Sequence, residues 1–327
     1  MKKLIGRVLA RVKLKKQALL LYFFVTNSWT GSVNKYRKIV LPLLVRQRSK
    51  DGVYAIDLDS EWLGLGARII KTLEILLYCE ENNLNPVIRY NYLEKGKETP
   101  DYFSELFYYK LADKDIRERA RFTSVRDVDE LGWREDYNIK LKLNSAKGLF
   151  DKYLGVMPDI IEEVERFIRD HFKSRKVLGI HYRGTDKAGE APLLAREKWL
   201  EQIENVLKEN TGLELIFIST DDQKIISFLQ QCDLPVAVLF RQDSVRSTDG
   251  DQFHRKKHIS KSIINRDAIV NMLLLSRCDY LLKTASILSD CSVVFNPTIE
   301  VKLISKPHSE LLTWWPCTEI IKNQDNK

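Results

Sequence analysis

Apolar positions in this chain fall into short runs bounded by polar turns, and stretches of helical periodicity alternate with them. Val177 to Tyr182 (V-L-G-I-H-Y) is an apolar, partly β-branched run behind a charged stretch and reads as a buried strand. Leu213 to Ser219, Pro235 to Phe240 and Asp279 to Leu282 read as three more strands. Between them, Arg196 to Lys208, Gln223 to Gln231 and Asp267 to Arg277 read as helices, and a further helix is expected to begin at Lys283-Thr284-Ala285-Ser286. Upstream, Gly52 to Asp59 alternates as a strand. Ala67 to Asn82 carries Leu73, Leu76 and Leu77 at helical spacing, and Asn85 to Tyr90 reads as the next strand. Asp159 to Phe172 is an amphipathic helix, with Ile160, Ile161, Val164, Phe167 and Ile168 on one face and Glu162, Glu163 and Arg166 off it. Repeated strand–helix alternation predicts an α/β protein with parallel sheets. Two such blocks, near 52–90 and 177–300, predict two Rossmann-like domains facing a cleft.

A length of 327 residues suits two domains. The polar join Ser174-Arg175-Lys176 divides them into 26–174 and 175–327. Between Tyr92 and Lys147 no motif stands out; Tyr102, Phe103, Phe107, Tyr108 and Tyr109 are expected to pack. Trp314-Trp315-Pro316 could pack back across the cleft or mark an interface, and core packing is the commoner fate of paired aromatics. Residues 1–25 stand apart. Seven basic residues between Lys2 and Lys16 precede the apolar run Ala18 to Val25, which is too short to span a bilayer. Two readings stay open: an interfacial helix on an anionic membrane surface, or a first helix packed on the core.

Hydrophobic content of 44% and charged content of 30% are those of a soluble globular protein. A formal net charge of +8 favours anionic partners. No nucleic-acid motif is present, and aromatics do not interleave with the basic run, so nucleic acid is not expected. Cys79, Cys232, Cys278, Cys291 and Cys317 are scattered without CxxC spacing, which indicates neither a zinc site nor a disulfide framework and fits a reducing, cytoplasmic setting.

Candidate chemistry gathers where apolar runs stop. After Val177–Tyr182 come Arg183, Gly184, Thr185, Asp186, Lys187, Gly189 and Glu190. Charged turns at the carboxyl ends of parallel strands are where such sheets hold ligands. Arg183 offers a planar fork of donors suited to phosphate. Asp221 is a candidate ligand contact at the end of the second strand, and it or Asp222 can instead cap the helix that follows. Ser286 can present a hydroxyl and backbone N–H groups at a helix start, as anion sites do. Gly64 and Gly66 open the first helix as G-L-G, short of a full G-x-G-x-x-G fingerprint. Asp57 and Asp59 have the spacing of a metal-binding pair but sit in or beside a strand, where a structural role is expected; no metal site is indicated.

H-Y-R-G-T-D-K at 181–187 resembles the H-x-R-R-T-D-K signature of the α1,6-fucosyltransferases and nodulation fucosyltransferases. I-S-T-D-D at 218–222 and C-D-Y-L-L-K-T-A-S at 278–286 resemble that superfamily's second and third motifs, in the same order. The resemblance implies a GT-B-like fold with an acceptor-side N-terminal domain and a nucleotide-sugar-binding C-terminal domain. It implies an inverting, metal-independent glycosyltransferase that uses GDP-fucose, has no cofactor, and acts on a glycan or lipid-linked glycan. By that resemblance Arg183 binds the diphosphate with His181 beside it. Asp186 and Lys187 orient the acceptor side or hold the loop, Ser286 touches the phosphates, His254 lines the donor pocket, and Asp186 or Glu190 takes the acceptor proton. Three positions depart from the pattern. Gly184 stands where the signature has its second arginine. Asn271 stands where relatives carry an acid for guanine. Glu190 is one place short of the expected acid. Another nucleotide sugar, or a non-catalytic anion- or membrane-binding module, is the alternative.

Overall fold

A computed structural model describes residues 52–58, 63–91, 101–110, 122–124, 140–184, 191–247, 259–308 and 315–325. The 1–25 segment, Asp59, Asp186, Lys187, Glu190, His254 and Trp314 lie outside these residues. In chain order the elements are β1 (Val53–Asp57), α1 (Leu65–Asn82), β2 (Asn85–Arg89), the short α2 (Phe103–Leu106), β3 (Phe107–Tyr109), β4 (Thr123–Ser124), α3 (Leu143–Tyr153), β5 (Leu154–Val156) and α4 (Pro158–Phe167), which runs into a π-helical turn at Ile168–Phe172. Then follow β6 (Val177–Tyr182), α5 (Arg196–Glu209), β7 (Leu215–Thr220), α6 (Gln223–Gln231), β8 (Ala237–Leu239), α7 (Lys261–Ser276), β9 (Tyr280–Thr284), α8 (Ile287–Phe295), β10 (Glu300–Ser305) and α9 (Trp315–Asp325).

The chain divides into two compact units. Of the described residues, one comprises those up to Leu63 with those in Lys71–Phe103 and Tyr109–Lys140; the other comprises those in Gly64–Ile70, Ser104–Tyr108 and from Leu141 on. The first unit holds a parallel sheet in the order β2-β1-β4. Pro86 falls in β2, an edge strand, where its missing N–H disturbs the ladder least. Asp57 accepts hydrogen bonds from Arg89 (2.7 Å) and Asn91 (2.9 Å), the structural role expected of it.

The second unit is built on five parallel strands in the order β10-β9-β6-β7-β8. Numbered from β6, that is the 3-2-1-4-5 order of a Rossmann sheet. β6, β7 and β9 are buried along their whole length, so they read as continuous apolar runs rather than alternating ones. On one face Leu178, Ile180, Ile216, Ile218 and Leu282 pack against Trp199 and Ile203 of α5 and Ile225 and Ile226 of α6. On the other, Phe217 meets Phe167 and Phe172. There the end of α7 and the turn after it come so close to β6 that a Cβ on Gly179 would lie 2.9 Å from the Cys278 sulfur and 3.4 Å from Leu275. The amphipathic α4 joins α7 through Arg266, which pairs with Asp159 (2.6 Å) and Glu163 (2.9 Å). The Arg266 hydrogen bond holds the Asp159 carboxyl below its ordinary range.

Several elements differ from the sequence expectation. β7 runs through Thr220 and β9 through Thr284, so Lys283 and Thr284 are strand residues rather than loop. α7 begins at Lys261, six residues before the expected Asp267. The helix expected over 159–172 is α-helical only to Phe167. β10 and α9 have no counterpart in the periodicity. Trp315, at the start of α9, is buried, and α9 packs on α8 and β10. All five cysteines are free and four are buried, as small hydrophobes. No helix among the described residues is long and apolar enough to cross a membrane.

Gly66 explains the G-L-G sequence in steric terms. A Cβ there would sit 3.1 Å from the backbone of Ile287 and Leu288, at the start of α8, whereas one on Gly64 meets nothing within 4 Å. Backbone cannot yield as a side chain can, so Gly66→Ala is expected to destabilise the fold by about 1–3 kcal/mol. Gly64→Ala should stay within about 0.5 kcal/mol of wild type. Urea denaturation of both variants checks this, and equal midpoints would refute the packing role.

Candidate active site at the carboxyl edge of the five-stranded sheet

β6 lies between β7 and β9, and the chain order reverses between β6 and β9. A crevice outside the carboxyl ends of the strands at such a switch point is the usual ligand position in a Rossmann sheet. The residues drawn from the three motifs stand at or next to the ends of β6, β7 and β9. In register, His181 lies opposite Ser219 on β7 and Lys283 on β9, so these three side chains share one face. Tyr182 projects to the other face, where its ring packs on Trp199 (5.2 Å between centroids).

Arg183 is the first residue past β6, and Asp221 fixes it. The Arg183 Nε forms an ion pair with Asp221 Oδ2 at 3.1 Å, and the Gly184 N–H donates to Asp221 Oδ1 at 3.2 Å. Arg183 remains 16% exposed. Asp221 is therefore the arginine's anchor. The helix cap is its neighbour Asp222, which accepts the Lys224 N–H at 2.8 Å.

Gly184 has little room for a side chain. A Cβ there would lie 2.4 Å from Cε1 of Tyr182 and 3.1 Å from Oδ2 of Asp222. The Tyr182 ring occupies that space, with Arg196 beside its hydroxyl. Burial and the nearby Asp222 charge push the Tyr182 hydroxyl pKa up.

Under the turn after β9 lies a buried ion pair. Lys283 Nζ donates to Asp290 Oδ1; the lysine is fully buried and the aspartate 2% exposed. Burial pushes the Asp290 carboxyl up, and Lys283 opposes that shift. The pair ties the end of β9 to the first turn of α8 and so holds the intervening Ala285-Ser286 turn. Ser286 is the N-cap of α8, yet its side chain makes no capping hydrogen bond. Thr284 Oγ1 and His181 Nδ1 are buried with no hydrogen-bond partner among the described residues. His181 is held neutral, well below its ordinary value of 6.5, by burial first and then by the charges of Arg183 and Lys283. The start of α1 also belongs here: Gly66 packs on Ile287, and the Cys291 thiol reaches the Gly66 carbonyl at 3.5 Å. Two helix N-termini, each a partial positive pole, thus meet beside Ser286.

Asn271 sits apart from this group, on α7. Its amide donates to the Asp267 carbonyl (3.0 Å), Asp267 Oδ1 (3.1 Å) and Ser244 Oγ (3.2 Å). An acid is thus present one helical turn before Asn271. Asp267 is engaged by Arg241 (2.9 Å), Ser244 (2.9 Å) and the Val245 N–H (3.4 Å), and burial pushes its carboxyl up. The i, i+4 spacing of Asp267 and Asn271 was the available signal for it. No three His, Cys, Asp or Glu side chains among the described residues cluster as metal ligands.

Two tests follow from this geometry. Above pH 6.5 His181 is neutral both folded and unfolded and adds no pH dependence. Below it the unfolded chain takes a proton that the folded site refuses, so stability falls with pH. The wild type should lose about 1.4 kcal/mol more than His181→Gln for each pH unit below 6.5. Parallel stability–pH curves for the two would refute a neutral buried imidazole. Removing one partner of the ion pair strands a buried charge. Lys283→Met should therefore cost about 3–5 kcal/mol, and Lys283→Met/Asp290→Leu should cost less than the single change in the same denaturation measurement.

No family model matches the chain, and no curated protein matches it. Solved structures do. Fucosyltransferase NodZ from Bradyrhizobium superposes with a TM-score of 0.52 at 12% identity, over 77% of this chain and 96% of that one. A structure of NodZ α-1,6-fucosyltransferase soaked with GDP-fucose gives 0.51 at 14% identity, over 74% and 93%. NodZ co-crystallised with GDP gives 0.50 at 13% identity, over 73% and 92%. The chain has the α/β, GT-B-like fold of these structures.

Proposed function

We propose that this protein is a glycosyltransferase that moves fucose from GDP-fucose to a hydroxyl of a glycan or lipid-linked glycan, with inversion and without a metal. The observation that carries the reading is the set of groups at the switch point. A fixed arginine, a helix N-terminus with a buried serine that makes no capping hydrogen bond, and two buried polar atoms without partners among the described residues stand at the ends of β6 and β9. A buried polar atom left unpaired costs about 1–3 kcal/mol, and a ligand that supplies the missing partners offsets that cost. An arginine fork beside a helix N-terminus suits a diphosphate. NodZ, which shares the fold, was crystallised with GDP and soaked with GDP-fucose.

In the proposed reaction the acceptor oxygen attacks the anomeric carbon from the face opposite the diphosphate. The new C–O bond forms as the bond to the diphosphate breaks, and the acceptor proton passes to Asp186 or Glu190. Arg183 and the start of α8 stabilise the charge growing on the departing nucleoside diphosphate. Asp221 positions Arg183, while His181, Lys187 and His254 complete the donor side. The basic and apolar 1–25 segment would hold the enzyme at the cytoplasmic face of a membrane.

Calorimetric titration with GDP, UDP and CMP in the presence of EDTA tests this. GDP is expected to bind without metal. Arg183→Ala removes charge-assisted hydrogen bonds worth about 1.5–3 kcal/mol, which corresponds to a loss of roughly tenfold to a hundredfold. A preference for UDP or CMP would move the donor, and Asn271, whose amide is taken up by Asp267 and Ser244, is the residue that would account for it. Binding of no nucleotide would overturn the transferase reading in favour of an anion- or membrane-binding module.

A further inference from the structure

We infer that the groove between α5 and α6 is the acceptor subsite, and that it selects a glycan bearing an anionic substituent. This inference rests on the glycosyltransferase reading above. The groove has a volume of about 300 Å³ and is lined by Arg196, Gln223, Lys224, Ser227, Phe228 and Gln231. That is the lower end of the size range for small-molecule sites.

Its charge is unbalanced in a way its surroundings are not. On α5, Lys198 pairs with Glu201 (2.7 Å) and Lys208 with Glu204 (4.0 Å). Arg196 and Lys224, from two different helices, have no carboxylate partner among the described residues and converge on the one groove. Arg196 lies beside the Tyr182 hydroxyl, and the one carboxylate near that hydroxyl that also touches α6, Asp222, is engaged in capping α6 through the Lys224 N–H at 2.8 Å. The remaining lining suits a sugar. Phe228, half-buried against the core, offers a ring face, and two amides and a hydroxyl offer donors and acceptors. A carboxylate, sulfate or phosphate on that sugar would meet Arg196 and Lys224.

The groove also adjoins the donor side. The Tyr182 hydroxyl lies beside Arg196 and its ring fills the space beside Gly184, which follows Arg183 directly. One side chain therefore lies between Arg196 and the turn that carries the arginine assigned to the diphosphate. The positive group absent at Gly184 is present nearby in space, at Arg196, turned toward a different ligand.

Binding of four probes to the full-length protein tests the inference: a hyaluronan tetrasaccharide (carboxylate), a chondroitin 4-sulfate tetrasaccharide (sulfate as well), mannose 6-phosphate (phosphate), and neutral maltotetraose. At least one anionic probe should bind more tightly than maltotetraose. Lys224→Glu should weaken that binding at least tenfold, while Lys322→Glu, an equal charge change on α9 away from the groove, should leave it unchanged. Which probe binds identifies the substituent. Equal loss in both variants would make the effect one of net charge and overturn the inference, as would equal binding of maltotetraose or no binding of any anionic probe. GDP titration of the same proteins reads the donor site separately. Failure of wild type to bind GDP would defeat the donor reading alone. Loss of GDP binding in Lys224→Glu would assign the groove to the donor and overturn its assignment to the acceptor.

Discussion

The ion pair between Lys283 and Asp290 is the contact on which the rest of the site depends. It is buried from solvent, so each charge is tolerable only because the other is there. Its geometric effect is to fix the turn between β9 and α8. That turn decides where Ser286 and the first N–H groups of α8 point, and how closely α1 can approach, since Gly66 packs on Ile287. Lys283 also stands in register with His181 and helps keep that imidazole neutral. One interaction thus connects strand register, helix placement and the protonation of the central histidine.

A second constraint works at the end of β6. Asp221, at the end of the neighbouring strand, holds both Arg183 and the Gly184 N–H. The Tyr182 ring leaves no room for a side chain at 184. The hydroxyl of the same tyrosine lies beside Arg196, a residue of the α5–α6 groove.

A third network stabilises the flank of the second unit. Arg241 pairs with Glu163 of α4 (2.9 Å) and with Asp267 of α7 (2.9 Å), while Arg266 pairs with Glu163 and Asp159. Two arginines sharing one carboxylate join elements that lie about a hundred residues apart. Asn271 is committed to this network through Asp267 and Ser244.

The sequence by itself determined the α/β class and the approximate positions of β1, β2, β6, β7, β8 and β9, because buried parallel strands leave uninterrupted apolar runs and amphipathic helices leave a 3.6-residue period. It also marked Arg183, Asp221 and Ser286, because polar residues that end an apolar run stand at strand ends. Only the tertiary structure decided the strand order, since a local pattern carries no record of which strand lies beside which. Only it showed that Asp221 serves Arg183 while Asp222 caps α6, because adjacent identical side chains differ only in the direction they face. It placed Lys283 inside β9, against the rule that a lysine ends an apolar run, because its partner Asp290 lies on the next helix. β10, with its alternating exposure, and α9, capped by a buried tryptophan rather than an apolar stripe, left too weak a periodic signal to be read.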